Sequence, residues 1–255
     1  MRIGICELAY IPLRSGMSHK SEMLNQLLFG ELFEILIHKE DWTKVRLFHD
    51  DYEGWVDTDC ISFIQKENAI LENFKNAYIL PQQTRISINN STIFLPNGAL
   101  LPKNKTEFQI NENKYKLAEN FEFLTFENKA ETIVKFAYDL LNSPYLWGGR
   151  TAWGIDCSGL SQFLYSLVGI QLPRNASQQI ALGHTRNFIT EAKPGDLAFF
   201  DDEEGNITHV GIIYETGKII HASGKVRIDR IDHQGIYNKE LKRYTHNLRV
   251  VKALL

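Results

Sequence analysis

The hydrophobic period of the chain changes near Asn128, and this change limits the folds open to it more than any other feature. Before it, apolar residues come in short runs broken by turn residues. Leu32 to Ile37 is apolar and β-rich. From Trp42 to Phe48 the sequence alternates, with Thr43, Val45 and Leu47 on one side and Lys44 and Arg46 on the other. The polar turn H-K-E-D joins these two runs. D-D-Y-E-G-W-V places a turn before a strand around Trp55 and Val56, and Ile61 to Ile64 is a further candidate. The start, M-R-I-G-I-C, reads as a first strand, and Ser21 to Leu28 as a loop or a helical turn. About five short strands at close spacing predict a small barrel over 1–65. Residues 66–127 repeat the style in A-Y-I-L, R-I-S-I, T-I-F-L, T-E-F-Q-I and Y-K-L, broken by N-N, P-N-G and P-K-N-K. They predict a second small β-barrel-like unit.

After Asn128 the period becomes helical. Ile133, Phe136, Ala137, Leu140 and Leu141 predict an amphipathic helix over 128–142, ended by Asn142, Ser143 and Pro144. The Gly-rich stretch Y-L-W-G-G-R-T-A-W-G-I-D leads into Cys157. From there to Val168 the positions Leu160, Phe163, Leu164 and Leu167 predict a second helix, stopped by Gly169. Strands follow L-P-R-N-A-S: L-A-F-F after the P-G-D turn, H-V-G-I-I-Y, I-I-H-A and L-R-V-V-K-A. Helices followed by a run of strands make an α+β layout over 128–255.

Charge and composition exclude several classes. With 28 basic and 31 acidic residues the formal charge is −3, so no basic surplus exists to neutralise a phosphate backbone, and nucleic acid is not expected as a partner. No apolar run approaches the ~18 residues of a membrane span. Glu7 interrupts the apolar stretch at the N-terminus and no small-residue cleavage site follows, so it does not read as a secretory signal. A cytoplasmic location is the expectation, and an extracytoplasmic one the alternative if a signal has been removed. Cys6, Cys60 and Cys157 cannot form a disulfide framework and suit a reducing compartment. Without C-x-x-C or H-E-x-x-H, neither a metal nor any other cofactor is expected.

One constellation carries chemistry. Cys157 stands at the predicted N-terminus of a helix, where free N–H groups and the helix dipole stabilise a thiolate. Gly154 and Gly159 flank it and would admit a substrate backbone. His209 begins one predicted strand and His221 lies in the next. A thiol nucleophile needs an imidazole base, and that imidazole needs a polar group to orient it. Both histidines share a face only if an odd loop, such as Glu215 to Gly217, sets His221 opposite Gly211. An even two-residue hairpin would put them on opposite faces. Asp156 caps the helix, binds a cation beside the thiol, or does both. His19, His38, His49, His184, His233 and His246 show no partner signal and read as surface or structural. Cys6 and Cys60 read as core or near-surface thiols, and Arg174 pairs a structural carboxylate or lines the site.

The blocks G-I-D-C-S-G-L-S-Q-F-L-Y, L-P-R-N-A-S-Q-Q, P-G-D-L-A-F-F, I-T-H-V-G-I-I-Y and I-I-H-A-S-G, in this order, resemble the NlpC-type cysteine peptidases. The resemblance covers roughly 128–255 and implies a papain-like α+β domain there. Cys157 would be the nucleophile, His209 the general base and His221 its orienting residue, acting on peptidoglycan stem peptides. W-T-K-V-R-L and Y-E-G-W-V in the N-terminal part resemble a bacterial SH3-like domain, as in γ-D-glutamyl-L-diamino acid endopeptidases. The fold class implied is a papain-like domain preceded by two small SH3-like β-barrels. By the same resemblance, Asp156, Tyr52 and Glu22, with Glu31 as the alternative to Glu22, would hold the free amino group of L-alanine. Trp147 would wall the pocket, and Ser158 and Ser177 would contact substrate. The implied partner is a small peptide, L-Ala-γ-D-Glu-diamino acid, and the implied state a monomer. An amidase or acyltransferase with the same Cys-His pair, and a non-catalytic wall-binding protein, are the competing readings.

Overall fold

A computed structural model describes residues 2–64, 67–74 and 76–255. The chain divides into two compact units, residues 1–125 and 126–255. Among the described residues no helix is long and apolar enough to cross a membrane.

The N-terminal unit opens with seven short strands: β1 (Ile3–Ile5), β2 (Tyr10–Arg14), β3 (Met23–Leu28), β4 (Leu32–His38), β5 (Trp42–Leu47), β6 (Glu53–Asp57) and β7 (Ser62–Phe63). They form one sheet in the order β3-β2-β6-β5-β4-β1-β7. The alternation read in β5 is realised, since Thr43, Val45 and Leu47 are buried and Lys44 and Arg46 are not. Val45 and Leu47 join Cys6, Ile11, Leu13, Leu27, Phe33 and Val56 in one apolar cluster. The stretch expected as a loop or helical turn is strand β3. Its last four residues, Asn25 to Leu28, are all buried, a pattern without the alternation that marks a half-exposed strand.

Gln65 and Lys66, where the first two expected domains meet, lie outside the described residues. Beyond them the chain is not all β. Helix α1 (Glu67–Phe74) comes first, then β8 (Tyr78–Ile79), β9 (Thr84–Ile88), β10 (Ser91–Leu95), β11 (Leu100–Leu101), β12 (Glu107–Ile110) and β13 (Asn113–Lys116). These strands make a four-stranded sheet, β10-β9-β13-β12, and a two-stranded one, β11-β8. This half is therefore not a copy of the first. The turns fall where P-N-G and P-K-N-K predicted them, with positive φ at Gly98 and Asn104. Ile3, Ile5 and Phe29 from the first half pack with Ile70, Phe74, Leu101, Phe108 and Tyr115 from the second, so one core serves both. A buried acid pins this core: Glu7 accepts from the Tyr115 hydroxyl at 2.6 Å and from Asn113 Nδ2 at 2.9 Å.

In the C-terminal unit α2 (Lys129–Asp139) is capped by the Asn128 side chain. The hairpin β14 (Arg150–Thr151) and β15 (Gly154–Ile155) leads into α3 (Cys157–Leu167), which Gly169 closes with φ +76°. The L-P-R-N-A-S segment continues as a four-residue helix α4 (Ala176–Gln179) before the strands resume: β16 (His184–Arg186), β17 (Leu197–Asp201), β18 (Ile207–Glu215), β19 (Lys218–Ser223), β20 (Lys225–Ile231), β21 (Gly235–Asn238) and β22 (Arg243–Ala253). The sheet runs β16-β22-β17-β18-β19-β20-β21, and β21 also pairs with β22, closing six of the strands on themselves. Ala198, Phe200, Ile213, Ile219, Ile231, Ile236 and Val251 share one face of it in an apolar cluster.

Candidate active site

Cys157 is the first residue of α3 and Asp156 is its N-cap, accepting the Gly159 N–H at 2.7 Å. Both glycines expected to admit substrate are buried and serve the chain's own packing instead. A Cβ on Gly159 would lie 2.3 Å from the Gly149 carbonyl oxygen, and one on Gly154 would strike the Leu146 side chain. The loop before the helix thus crosses the helix start at a distance only glycine permits. The crossing aims the Gly148 N–H at Asp156 Oδ2, 2.8 Å away.

Asp156 is paired inside the protein. Arg174, 2% exposed, forks onto it, with Nη1 to Oδ1 at 2.9 Å and Nη2 to Oδ2. The same Nη1 donates to Ser158 Oγ at 2.8 Å, and Ser158 also touches Asp156. Two backbone N–H groups, a bidentate guanidinium and a hydroxyl account for the acceptor sites of one carboxylate. A cation of the chain itself, Arg174, thus already stands on Asp156. Gln179 locks the same corner by donating to the Ser158 and Pro173 carbonyls.

The thiol of Cys157 accepts the backbone N–H groups of Val210 and Ser158, so it rests against β18 at the residue following His209. Burial, then the Asp156 charge, pushes its pKa up to about 11, against the pull of those N–H groups and Arg174. His209 is 5% exposed. Burial holds its pKa well below the ordinary 6.5, helped by His221 and His246. Both shifts favour the neutral forms, thiol and imidazole, over the ion pair.

Behind His209 runs a relay. His209 Nε2 meets His221 Nδ1 at 2.9 Å, and His221 Nε2 meets Asp229 Oδ2 at 3.1 Å. Arg227 holds Asp229 by Nε at 2.6 Å and Nη2 at 3.1 Å, and the Asp229 pKa is lowered, with His221 and Arg227 opposing its burial. An ionised Asp229 only accepts, so His221 carries its proton on Nε2 and offers a lone pair at Nδ1. His209 must then donate from Nε2, which leaves Nδ1 as its basic nitrogen. Asp229 carried no expected role, although Arg227 and Asp229 share one face of V-R-I-D-R-I.

His221 does stand opposite Gly211, as required, but the hairpin achieves this differently from the expected odd loop. The turn holds only Thr216 and Gly217, and a bulge at Tyr214 supplies the odd residue. Gly211 is needed in that register, since a Cβ there would come within 2.9 Å of the His221 Cβ.

Two further residues belong to the site. Burial, then the Cys157 and Asp156 charges, raises the pKa of the Tyr145 hydroxyl to about 12. His246, read from sequence as surface or structural, stacks on His209 with ring centroids 4.1 Å apart and planes at 27°. His209, His221 and His246 are a group whose ligand atoms all lie within 4.8 Å of one another. Two of those nitrogens already face each other in a hydrogen bond. Stacked rings also point their lone pairs side by side and do not converge on one ion, so the trio suits proton handling better than metal binding.

Of the remaining expected site residues, Trp147 is 57% exposed and adjoins the Gly148 N–H that holds Asp156. Ser177 is exposed on α4. Tyr52 and Glu22 belong to the N-terminal unit. Tyr52 is half-buried against the β5–β6 cluster and Glu22 is exposed at the start of β3. Glu31 is buried, with Oε2 accepting the Leu28 N–H at 2.9 Å and Oε1 3.7 Å from His49.

Residues 142–246 match the model of the NlpC/P60 family, a span that contains Cys157, His209, His221, Asp229 and His246. The chain carries an NlpC/P60 cysteine peptidase domain. Residues 13–61 match the bacterial dipeptidyl-peptidase SH3 domain, which falls on the first β half of the N-terminal unit. A γ-D-glutamyl-L-lysine dipeptidyl-peptidase of Bacillus subtilis is 27% identical over 246 residues, covering 89% of this chain and 82% of the relative. Dipeptidyl-peptidase 6 of Lysinibacillus sphaericus is 29% identical over 260 residues, covering 87% and 89%. A crystal structure of an NlpC/P60 family protein from Bacillus cereus shares the fold, with TM-score 0.81, 18% identity and 99% of both chains covered. The protein is a peptidase, and Cys157, His209 and His221 all fall within the matched domain.

Proposed function

We propose that this peptidase hydrolyses the γ-D-glutamyl–diamino acid bond of short peptidoglycan stem peptides bearing a free N-terminal L-Ala, releasing L-Ala-γ-D-Glu during cell-wall peptide turnover. The observation that carries the proposal is the His209–His221–Asp229 line, with the Cys157 thiol beside Val210, the residue following His209, in a domain accompanied by a dipeptidyl-peptidase SH3 domain. The names of its relatives point the same way.

The chemistry follows from the neutral resting pair. As the Cys157 sulfur attacks the γ-carbonyl of D-Glu, its proton passes to His209 Nδ1, and the Asp229–His221 relay stabilises the imidazolium that forms. The oxyanion is held by the Cys157 backbone N–H at the start of α3 and by the Tyr145 hydroxyl. Collapse breaks the C–N bond, and the leaving amine takes the proton from His209. Water, deprotonated by His209, then cleaves the thioester and restores the thiol. Asp156, Tyr52, Glu22, Trp147, Ser158 and Ser177 stay in the proposal as substrate-binding residues on the resemblance alone. For Asp156 the role would be added to its cap and its Arg174 pair.

The test is mass spectrometry of L-Ala-γ-D-Glu-diaminopimelate and its N-acetylated copy, incubated with wild type and Cys157→Ala. Release of the diamino acid by wild type only, from the free tripeptide only, is the expected result. Cleavage of both copies removes the amino-group requirement. Cleavage of neither by wild type overturns the substrate assignment.

A further inference from the structure

β22 contains one residue more than its partner strand uses. Phe199 faces Val250 but Phe200 faces Leu248, so Arg249 is the extra residue of a bulge. Without it, alternation from Val251 would send His246 to the opposite face of the sheet. With it, Val251, Leu248 and His246 share the face that carries Phe200, His209 and His221. The His246 ring lies over His209, meets His221 edge-on at 5.6 Å and 83°, and touches Phe200 at 5.9 Å. Its Nδ1 is engaged by Thr245 Oγ1 at 2.9 Å. The base ring is thus held at one edge by His221, over one face by His246, and obliquely by Phe200 at 5.7 Å and 47°.

We infer that His246 is a positioning residue for the general base: stacked on His209, it fixes the plane of that ring and keeps water from one of its faces. The inference rests on the peptidase reading given above. Fixing the plane matters because Nδ1 must stay aligned with the thiol while Nε2 stays bonded to His221, and rotation of the ring would lose both. Excluding water matters because an exposed imidazole titrates near neutrality. The charged and titratable groups around His209 are Cys157 and Asp156 at the head of α3, His221 on β19, Arg227 and Asp229 on β20, and His246 on β22. Arg174 offsets Asp156 and Arg227 offsets Asp229. Burial first, then His221, lowers the His246 pKa to about 4, so near neutrality this ring covers the base without adding charge.

The test compares His246→Ala, His246→Gln and His246→Phe with wild type by two readouts. One is kcat and KM on the tripeptide. The other is the titration of the His209 ring, followed by NMR of histidine-labelled protein from pH 3.5 to 8, with His209→Ala to assign its signal and thermal melts as a fold control. Removing the ring is expected to lower kcat about 3- to 10-fold, the scale of one aromatic contact, with KM within about 2-fold. The His209 midpoint should move up by about half a pH unit or more, as water reaches the ring. Phe, flat and without a titrating group, should restore kcat to within about 3-fold and return the midpoint to its wild-type position. Should Ala unfold the domain, Gln, which keeps bulk without a ring, carries the same expectation. Wild-type kcat and midpoint in Ala or Gln would overturn the inference, and so would a Phe variant no better than Ala. A wild type inert on the tripeptide would overturn the substrate reading and leave the titration arm to decide on His246.

Discussion

Arg174→Gln is the most demanding test of the site's electrostatics. Arg174 and Asp156 are 2% and 4% exposed, and the guanidinium makes two of the contacts on that carboxylate. Removing the cation leaves a buried carboxylate with the Gly148 and Gly159 N–H groups and the Ser158 hydroxyl as its partners. Breaking one side of a buried pair costs about 3–5 kcal/mol. With a urea slope of about 1.5 kcal/mol per M, a loss of about 3 kcal/mol moves the midpoint down by about 2 M. Asp156→Asn should cost less, because Asn still caps the helix. The double variant Asp156→Asn with Arg174→Gln buries no charge and should recover much of the loss of Arg174→Gln. Urea melts of the four proteins give the coupling energy directly. The Cys157 thiol supplies an independent reading: without Arg174 the Asp156 charge is unopposed, so alkylation at pH 7 should slow. If the two single losses simply add, or if Arg174→Gln costs under about 1 kcal/mol, the buried pair is not what holds this corner.

Four further outcomes follow from the geometry. Because burial depresses the His209 pKa, the base remains neutral as pH falls through 6.5, and a pH–rate profile of kcat/KM should place its acid limb below that value. Tyr145→Phe should lower kcat on the tripeptide by about 10²-fold with little change in KM, if its hydroxyl serves the oxyanion; an equal effect on KM alone would make it a substrate contact. Asp156→Asn and Tyr52→Phe should each raise KM for the free tripeptide, Tyr52→Phe with a melting temperature near wild type and Asp156→Asn at a temperature where it remains folded, and normal kinetics in both would remove the amino-group pocket. Glu7→Ala leaves the Tyr115 hydroxyl without its carboxylate and should cost the N-terminal unit about 1–3 kcal/mol in a urea melt.

Much of the fold was legible because alternation and helical period are direct consequences of burial. Residues in β5 alternate as the pleat demands, and the Cys157 helix begins at its Asp cap and ends at a left-handed glycine. The failures have equally local causes. β3 was missed because a strand whose last four residues are all buried loses its period of two. Asp229 was missed because a carboxylate beside an arginine on an exposed-looking strand resembles a surface ion pair until β19 and β20 are set in register. His246 was missed because parity along β22 is broken at Arg249, which no spacing rule reveals.

The charge of the site is set by one pair the sequence pointed to, Asp156 with Arg174, and one it hid, Asp229 with Arg227. Each of the two carboxylates near Cys157 and His209 has its own arginine, Arg174 for Asp156 and Arg227 for Asp229. With both neutralised, nothing in the resting site favours a thiolate–imidazolium pair enough to overcome burial. The thiol is held at about 11 and the imidazole well below 6.5. On the proposed mechanism charge is created during attack, when the Tyr145 hydroxyl, the start of α3 and the Asp229–His221 relay would receive it. A site arranged in this way leaves its sulfur protonated, and slow to react with oxidants, until an acyl carbon is in place. Iodoacetamide should accordingly label Cys157 slowly at pH 7 and faster as pH rises toward the thiol pKa. Rapid labelling at pH 6 would mean that the ion pair already exists at rest, and that the relay acts on the ground state and not on the transition state.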